Sequence, residues 1–264
     1  MKGLLVLVIL GFLWIMGCSN TGTGPQNTNN EGNGTLKLYL IDSPANLDSV
    51  VIWVRKVEVH KAGSDTTSGW ITLNDSTRHF DLLQLRNGAN AVLGDTTLAA
   101  GQYTQIRLIL ADSNYVVDTN GIKFPLTVPS GMQTGLKLTH QFTIEPNTLY
   151  ELLLDFDAGR SIIKTGNGEY KLKPTVRVVA KITSGSISGI IMPLDADPLI
   201  QTVVNQDTVS TLTDTSGYFK LMGLPQGMYN INILPGNPLY TDSIITGINV
   251  FSGQDTDLDT ITIN

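Results

Sequence analysis

From Thr35 onward, apolar residues recur at every second position, the period of a strand with one face on a core and the other toward water. LKLYLI (36–41), VVIWVRKVEV (50–59), TQIRLIL (104–110), LKLTHQFTI (136–144) and LYELLLDF (149–156) all alternate in this way. In YKLKPTVRVVAKI the alternation puts Tyr170, Leu172, Val176, Val178, Ala180 and Ile182 on one face. Lys171, Lys173, Thr175, Arg177 and Lys181 fall on the other, which predicts one continuous strand. NYVVDTNGIKFPLTV reads as a hairpin turning over Asp118 to Gly121. Only FDLLQLRNGANAVLG (80–94) has room for a helical turn or two. Beyond Ile182 more short strands follow: SISGIIM, DTVSTLTD, GYFKLMGL, GMYNINILP, SIITGINVF and DLDTITI. The pattern predicts an all-β chain with two consecutive β-sandwich domains, 35–182 and 183–264.

Charge divides the chain at the same place. Residues 35–182 carry 15 basic and 14 acidic side chains, whereas residues 183–264 carry eight aspartates, no glutamate and one basic residue, Lys220, a net of −7. That shift supports a boundary near Ser184 and Gly185. A chain this acidic lacks the basic footprint of a nucleic-acid binder. With one cysteine in 264 residues no disulfide can staple either sandwich. Apolar burial alone must hold roughly 230 residues, a length sufficient for one or two ordinary cores.

The N-terminus has a different grammar. Lys2 precedes an apolar run from Leu4 to Met16, the arrangement of a secretory signal peptide. At 1.5 Å per residue the run reaches roughly 20 Å, short of the ~30 Å hydrocarbon core that a spanning helix must cross. It ends at Ile15-Met16-Gly17-Cys18, which resembles the lipobox of bacterial lipoproteins. The resemblance implies cleavage after Gly17, acylation of Cys18 and attachment to the membrane through several acyl chains, where a single chain would be marginal. Residues 18–34 then form the acylated cysteine and a Gly-, Asn- and Thr-rich tether. Ser19 in place of Asp resembles an outer-membrane sorting signal, so the expected address is the bacterial cell envelope, lipid-anchored in the outer membrane.

Two further resemblances cover the folded part. LYLIDSPANLDSVVIWVRKVEVH, GWITL, FDLLQLRNG, LAAGQYTQIRLIL, VPSGMQTGLKL, LLLDFDAGRSI and YKLKPTVRVV, in that order, make residues 36–182 similar to the bacterial family known as domain of unknown function 4382. Residues 184–263 resemble the carboxypeptidase regulatory-like, transthyretin-like sandwich through Ser186-Ile187-Ser188-Gly189, TDTSGYFKLMGLPQGMYNINI and GINVFSGQDTDLDTITI. The segment IMPLDADPLIQTVVNQDTVSTL is an imperfect version of that family's second strand pair, which leaves strand boundaries there open. Neither resemblance transfers chemistry, although folds related to the second sometimes bind glycans.

Candidate chemistry is sparse. His60, His79 and His140 lie in different strands without metal-ligand spacing, and His140 shares the inward parity of Leu136, Leu138, Phe142 and Ile144. Ser161-Ile-Ile-Lys164 and Lys164-Thr165-Gly166 spell two elements of penicillin-recognising enzymes, but one lysine serves both strings. Asp155 with Asp157, beside Arg160, and Asp255, Asp257 and Asp259 are candidate calcium ligands. Calcium wants six to eight oxygens, and the competing readings are an ion pair with Arg160 and a charged edge that discourages strand pairing. A glycan site needs an exposed aromatic. Trp53 shares parity with Val51, Val57 and Val59 and reads as core, which leaves Trp70, following the polar loop GSDTTSG, as the candidate ligand-binding residue. No catalytic constellation and no cofactor are expected. The leading expectation is a non-enzymatic structural or interaction module, with the membrane and an envelope protein or glycan as partners. The alternative is a carbohydrate-binding accessory lipoprotein, and an enzyme is third.

Overall fold

The computed structural model of the chain describes residues 32–129 and 134–264, and the two-residue period becomes strand throughout. The segment read as a signal peptide, Cys18 and most of the residues read as a tether lie outside the described residues. The first module comprises β1 (Asn33–Ser43), β2 (Ser49–Lys61), β3 (Trp70–Asn74), β4 (Arg78–Asp81), β5 (Ala91–Ala99), β6 (Gly101–Leu110), β7 (Tyr115–Val117) and β8 (Lys123–Thr127). It continues through β9 (Leu136–Ile144), β10 (Leu149–Asp157), the one-turn helix α1 (Ala158–Ser161), β11 (Ile162–Lys164), β12 (Tyr170–Leu172) and β13 (Val176–Ala180). One sheet has the order β13-β10-β1-β5; the other runs β11-β12-β8-β7-β2-β6-β9, with β3 and β4 also paired to β2. Between them lies a core in which Leu36, Leu38, Leu40, Ile52, Ile106 and Leu152 are fully buried, each contributing about 1.5–3 kcal/mol.

Four departures from simple alternation have local causes. β1 begins at Asn33, so Asn33 and Gly34, read as tether, are strand residues paired with Ala99 and Leu98. A side chain at Gly34 would collide with the Glu145 carbonyl, which is why the strand can start there. In β2 the register slips between Val54 and Lys56, leaving Arg55 as an exposed extra residue. Val50, Ile52 and Val54 therefore share the core with Val57 and Val59. This corrects the reading of Trp53 as core: it sits half-buried on the outer face, its ring 4.8 Å from that of exposed His79. The strand expected over YKLKPTVRVVAKI is two strands, β12 in the larger sheet and β13 in the smaller. Pro174, lacking an N–H, falls where the chain crosses between sheets. Between β4 and β5 the helical structure is a single 3₁₀ turn, Leu82–Gln84, capped by the Asp81 carboxylate accepting from Leu83 N–H.

The second module contains β14 (Ser184–Met192), β15 (Leu199–Val204), β16 (Asp207–Leu212), β17 (Tyr218–Pro225), β18 (Gly227–Leu234), β19 (Ser243–Val250) and β20 (Asp255–Thr262). Sheets β17-β14-β20 and β16-β15-β18-β19 enclose a separate core around Ile187, Ile200, Phe219, Ile231 and Ile233. In the ambiguous stretch after β14, β15 and β16 form a hairpin turning on Asn205 and Gln206, both with positive φ, the backbone that two-residue hairpins require. The chain is an all-β protein of several packed sheets. No helix among the described residues is long and apolar enough to cross a membrane.

Candidate functional site

The parallel pairing of β1 with β10 aligns Ile41 with Asp155, Asp42 with Phe156 and Ser43 with Asp157. Both strands therefore end together, and their polar ends meet the second module. Asp42 continues the inward parity of Leu36, Leu38 and Leu40 and is 6% exposed. Its Oδ1 accepts from Ala158 N–H at 3.0 Å, while Oδ2 has no hydrogen-bond partner. Burial pushes its pKa well above the usual carboxylate range, and the nearby Asp155 and Asp157 push the same way. Asp155 points to the opposite face and is also buried. It accepts from Arg177 Nη2 at 2.7 Å and Nε at 3.2 Å. Burial still raises its pKa, against the opposing pull of Arg177. Asp157 caps α1 by accepting from Arg160 N–H at 2.9 Å, and burial raises its pKa too.

These groups hold the second module. Arg177 donates to the carbonyls of Gly223 at 2.6 Å and Met222 at 3.4 Å on β17, so one guanidinium spans both modules. Arg160 Nη1 reaches Asp207 of β16 at 3.3 Å. Asn87, in the left-handed region at φ 53°, enters between β16 and β17. Its Nδ2 donates to Leu212 O at 2.9 Å, and its Oδ1 accepts from Thr211 Oγ1 at 2.7 Å and Lys220 N–H at 3.1 Å. Ile41 and Leu153, on the outer face of the smaller sheet, are each 4% exposed. A cavity of about 10 Å³ remains among Asp42, Ser43, Asn87, Asp155 and Thr211, the scale of one water molecule. The arrangement is a polar clasp on an apolar contact. It positions one module on the other, and beside it a small open pocket of about 90 Å³ is lined by Asp155, Asp157, Arg160, Arg177 and Asp207.

The other predicted residues do not converge. Trp70 is half-buried with the Arg107 guanidinium 4.0 Å from its ring centroid, His60 edge-on at 5.1 Å and its Nε1 donating to Thr66 O at 3.1 Å. Arg107 is itself paired with Glu58, which also binds Lys56, so that tryptophan closes a self-contained network over the larger sheet. Asp155 takes Arg177 as its ion-pair partner, and of the two only Asp157 pairs with Arg160, which also reaches Asp207. Asp255 accepts from Ser186 and Ser188 and pairs with Lys220 at 2.9 Å. A bulge with Asp259 at φ 54° breaks the expected alternation of Asp255, Asp257 and Asp259. Among the described residues no three His, Cys, Asp or Glu side chains gather closely enough to hold a metal. Ser161 is buried and bonded to the Thr175 backbone, while Lys164 lies over the Tyr170 ring at 5.3 Å. His140 is half-buried, and burial lowers its pKa. Sequence reasoning missed Asp42, Asn87 and Arg177 as a group. Two signals were present: the inward parity of Asp42 and the turn-prone Asn87-Gly88 pair.

Asp42 and Ser43, Asn87, and Asp155 to Arg160 sit in stretches that match one family, described as Domain of unknown function (DUF4382), over residues 33–174, more than half of the chain. The chain belongs to this family. The DUF4382 match ends just before Arg177 and leaves the second module uncovered. No curated protein matches the chain. Among solved structures, a type II cohesin–X-dockerin complex from Acetivibrio cellulolyticus aligns at 25% identity over 30% of this chain and 56% of that one, with a TM-score of 0.25. A mutant of the shaft pilin SpaA from Lactobacillus rhamnosus GG aligns at 11% identity over 88% of this chain and 97% of its own, with a TM-score of 0.26. The minor pilin GBS52 from Streptococcus agalactiae aligns at 12% identity over 86% and 94%, with a TM-score of 0.24.

Proposed function

We propose that the chain is a lipid-anchored cell-envelope protein acting as a non-enzymatic structural and interaction module. In this reading Cys18 is acylated in the outer membrane, the tether spans the gap, and the DUF4382 module carries a carboxypeptidase regulatory-like sandwich into the surrounding space. The observation that carries the reading is the clasp. Asn87 of the family segment bonds Leu212, Thr211 and Lys220 of the second module, and Arg177, just past that segment, bonds Gly223. Anchoring raises the effective concentration of the second module toward other membrane-bound proteins. Glycan binding through Trp70 has less support, because Arg107 already covers its ring.

The test has two arms. Fatty-acid labelling should mark the wild-type chain and miss Cys18→Ala, which should leave the membrane fraction. Cross-linking on intact cells should then capture a defined protein, while binding to insoluble polysaccharides stays at background. Saturable polysaccharide binding that Trp70→Ala abolishes would replace this reading with the carbohydrate one.

A further inference from the structure

The two edges of the second sandwich are treated differently. On the side facing the first module, Asn87 bonds to β16 and β17 and covers that edge. On the far side, β19 and β20 run together, joined by Thr256 Oγ1 donating to Asn249 O at 2.8 Å. β20 is guarded by Asp255 and Asp257 and by the left-handed Asp259, the charged and bulged form that exposed edges normally take. β19 has no such charge. It ends the β16-β15-β18-β19 sheet and is uncharged from Ser243 to Gln254. Thr256 donates to the Asn249 carbonyl and the Asn264 carbonyl accepts from Thr241 N–H, so the open part of its outer edge is Ser243–Gly247. Its one irregularity is the bulge at Gly247, φ 74°. On that edge Ile244, opposite Asn232, is 60% exposed.

We infer that the open Ser243–Gly247 edge of β19 is a docking strand for an extended, basic segment of a partner protein, which joins the sheet through backbone hydrogen bonds. The inference deepens the interaction-module reading and depends on it. Edge addition supplies affinity from the backbone and selectivity from alternate side chains. Here one alternate set would meet Ile244. Selectivity comes from charge. Asp242 precedes β19, and Asp257 and Asp259 lie along the neighbouring strand; all three are exposed, and among the described residues none has a cation within salt-bridge distance. The module's only lysine is held by Asp255. A second copy is the wrong occupant, since its second module carries the same net −7 and edge-to-edge pairing would bring like charges together.

The experiment is amide hydrogen exchange on the full chain with a synthetic peptide alternating lysine and valine, against a matched peptide alternating glutamate and valine. The lysine peptide should protect β19 and leave β5 and β9 unchanged, and protection should weaken as salt rises. Ile244→Lys changes an exposed side chain, so the fold should survive while binding disappears. Asp257→Asn should weaken binding about two- to fivefold, the range of exposed ion pairs. Equal protection by both peptides, no protection at β19, or β19-mediated dimers would each overturn the inference. The interaction-module reading would survive those results, because cross-linking on cells judges it separately.

Discussion

A carboxyl group with one oxygen bonded to Ala158 N–H and the other buried without a partner is costly to ionise, and Asp42 is in that position. Its folded-state pKa lies above its unfolded value, so the folded state binds the proton more tightly. Stability therefore rises as pH falls from the raised value toward the ordinary carboxylate range, the reverse of a salt-bridged aspartate. Asp42→Asn, which imitates the neutral acid, should be at least as stable as wild type near neutral pH and lose this residue's share of the rise. Urea titrations across that pH window decide it, and a wild type that outlasts the variant at neutral pH would refute the assignment. Asn87 makes a second test at this scale. Removing its amide leaves Leu212 O and Lys220 N–H without these bonds, a cost of about 1–3 kcal/mol for Asn87→Ala. Asn87→Gly, which accepts φ 53° without strain, should lose the same bonds and recover the backbone part. The difference between the two in denaturant separates strain from bonding.

At the level of elements, Trp70 ties β3 to β6 through Arg107 and to the preceding loop through Thr66. Trp70→Ala should destabilise the chain by about 1–2 kcal/mol beyond lost burial, within the range of desolvated cation–π pairs. Trp70→Phe should restore part of this in the same denaturant midpoint, and no recovery would point to burial alone. Strands such as β1 and β10 were legible because their pairing with each other is unbroken along its length. β2 was legible as a strand but not in its facing: a single extra residue at Arg55 reverses parity, and no apolar pattern marks which residue a partner strand will skip. The same holds for Asp259 in β20. Between β12 and β13 the parity persists across Pro174 while the chain changes sheets, so periodicity alone fused two strands. Loss of an N–H at Pro174 was the available sign. Asp155 and Asp157 were legible as a pair of acids, but their partners were not, since Arg177 becomes a neighbour only through the pairing of β10 with β13.

In the whole molecule, the clasp gathers Asp42, Asn87, Asp155, Arg160 and Arg177 from segments far apart in sequence. Only the parallel pairing of β1 with β10, separated by most of the first module, brings them to one end. A sequence pattern carries no trace of that closure, which explains why the junction of the two modules was not legible. Arg177 is the test of whether they behave as one body. Its guanidinium satisfies buried Asp155 on one side and two β17 carbonyls on the other. Arg177→Met removes both and leaves an uncompensated carboxylate, a loss of about 3–5 kcal/mol. Arg177→Lys should rescue little, because a single ammonium cannot reproduce the planar fork. Asp155→Asn combined with Arg177→Met removes the stranded charge and should regain much of the stability, yet the β17 carbonyls stay unbound. Calorimetry should then give one transition for wild type and two for the double variant, with a larger radius of gyration in small-angle scattering. Two transitions in wild type would show that the modules unfold independently. A single transition retained in the double variant would show that Ile41 and Leu153, the apolar part of the contact, couple them without Arg177.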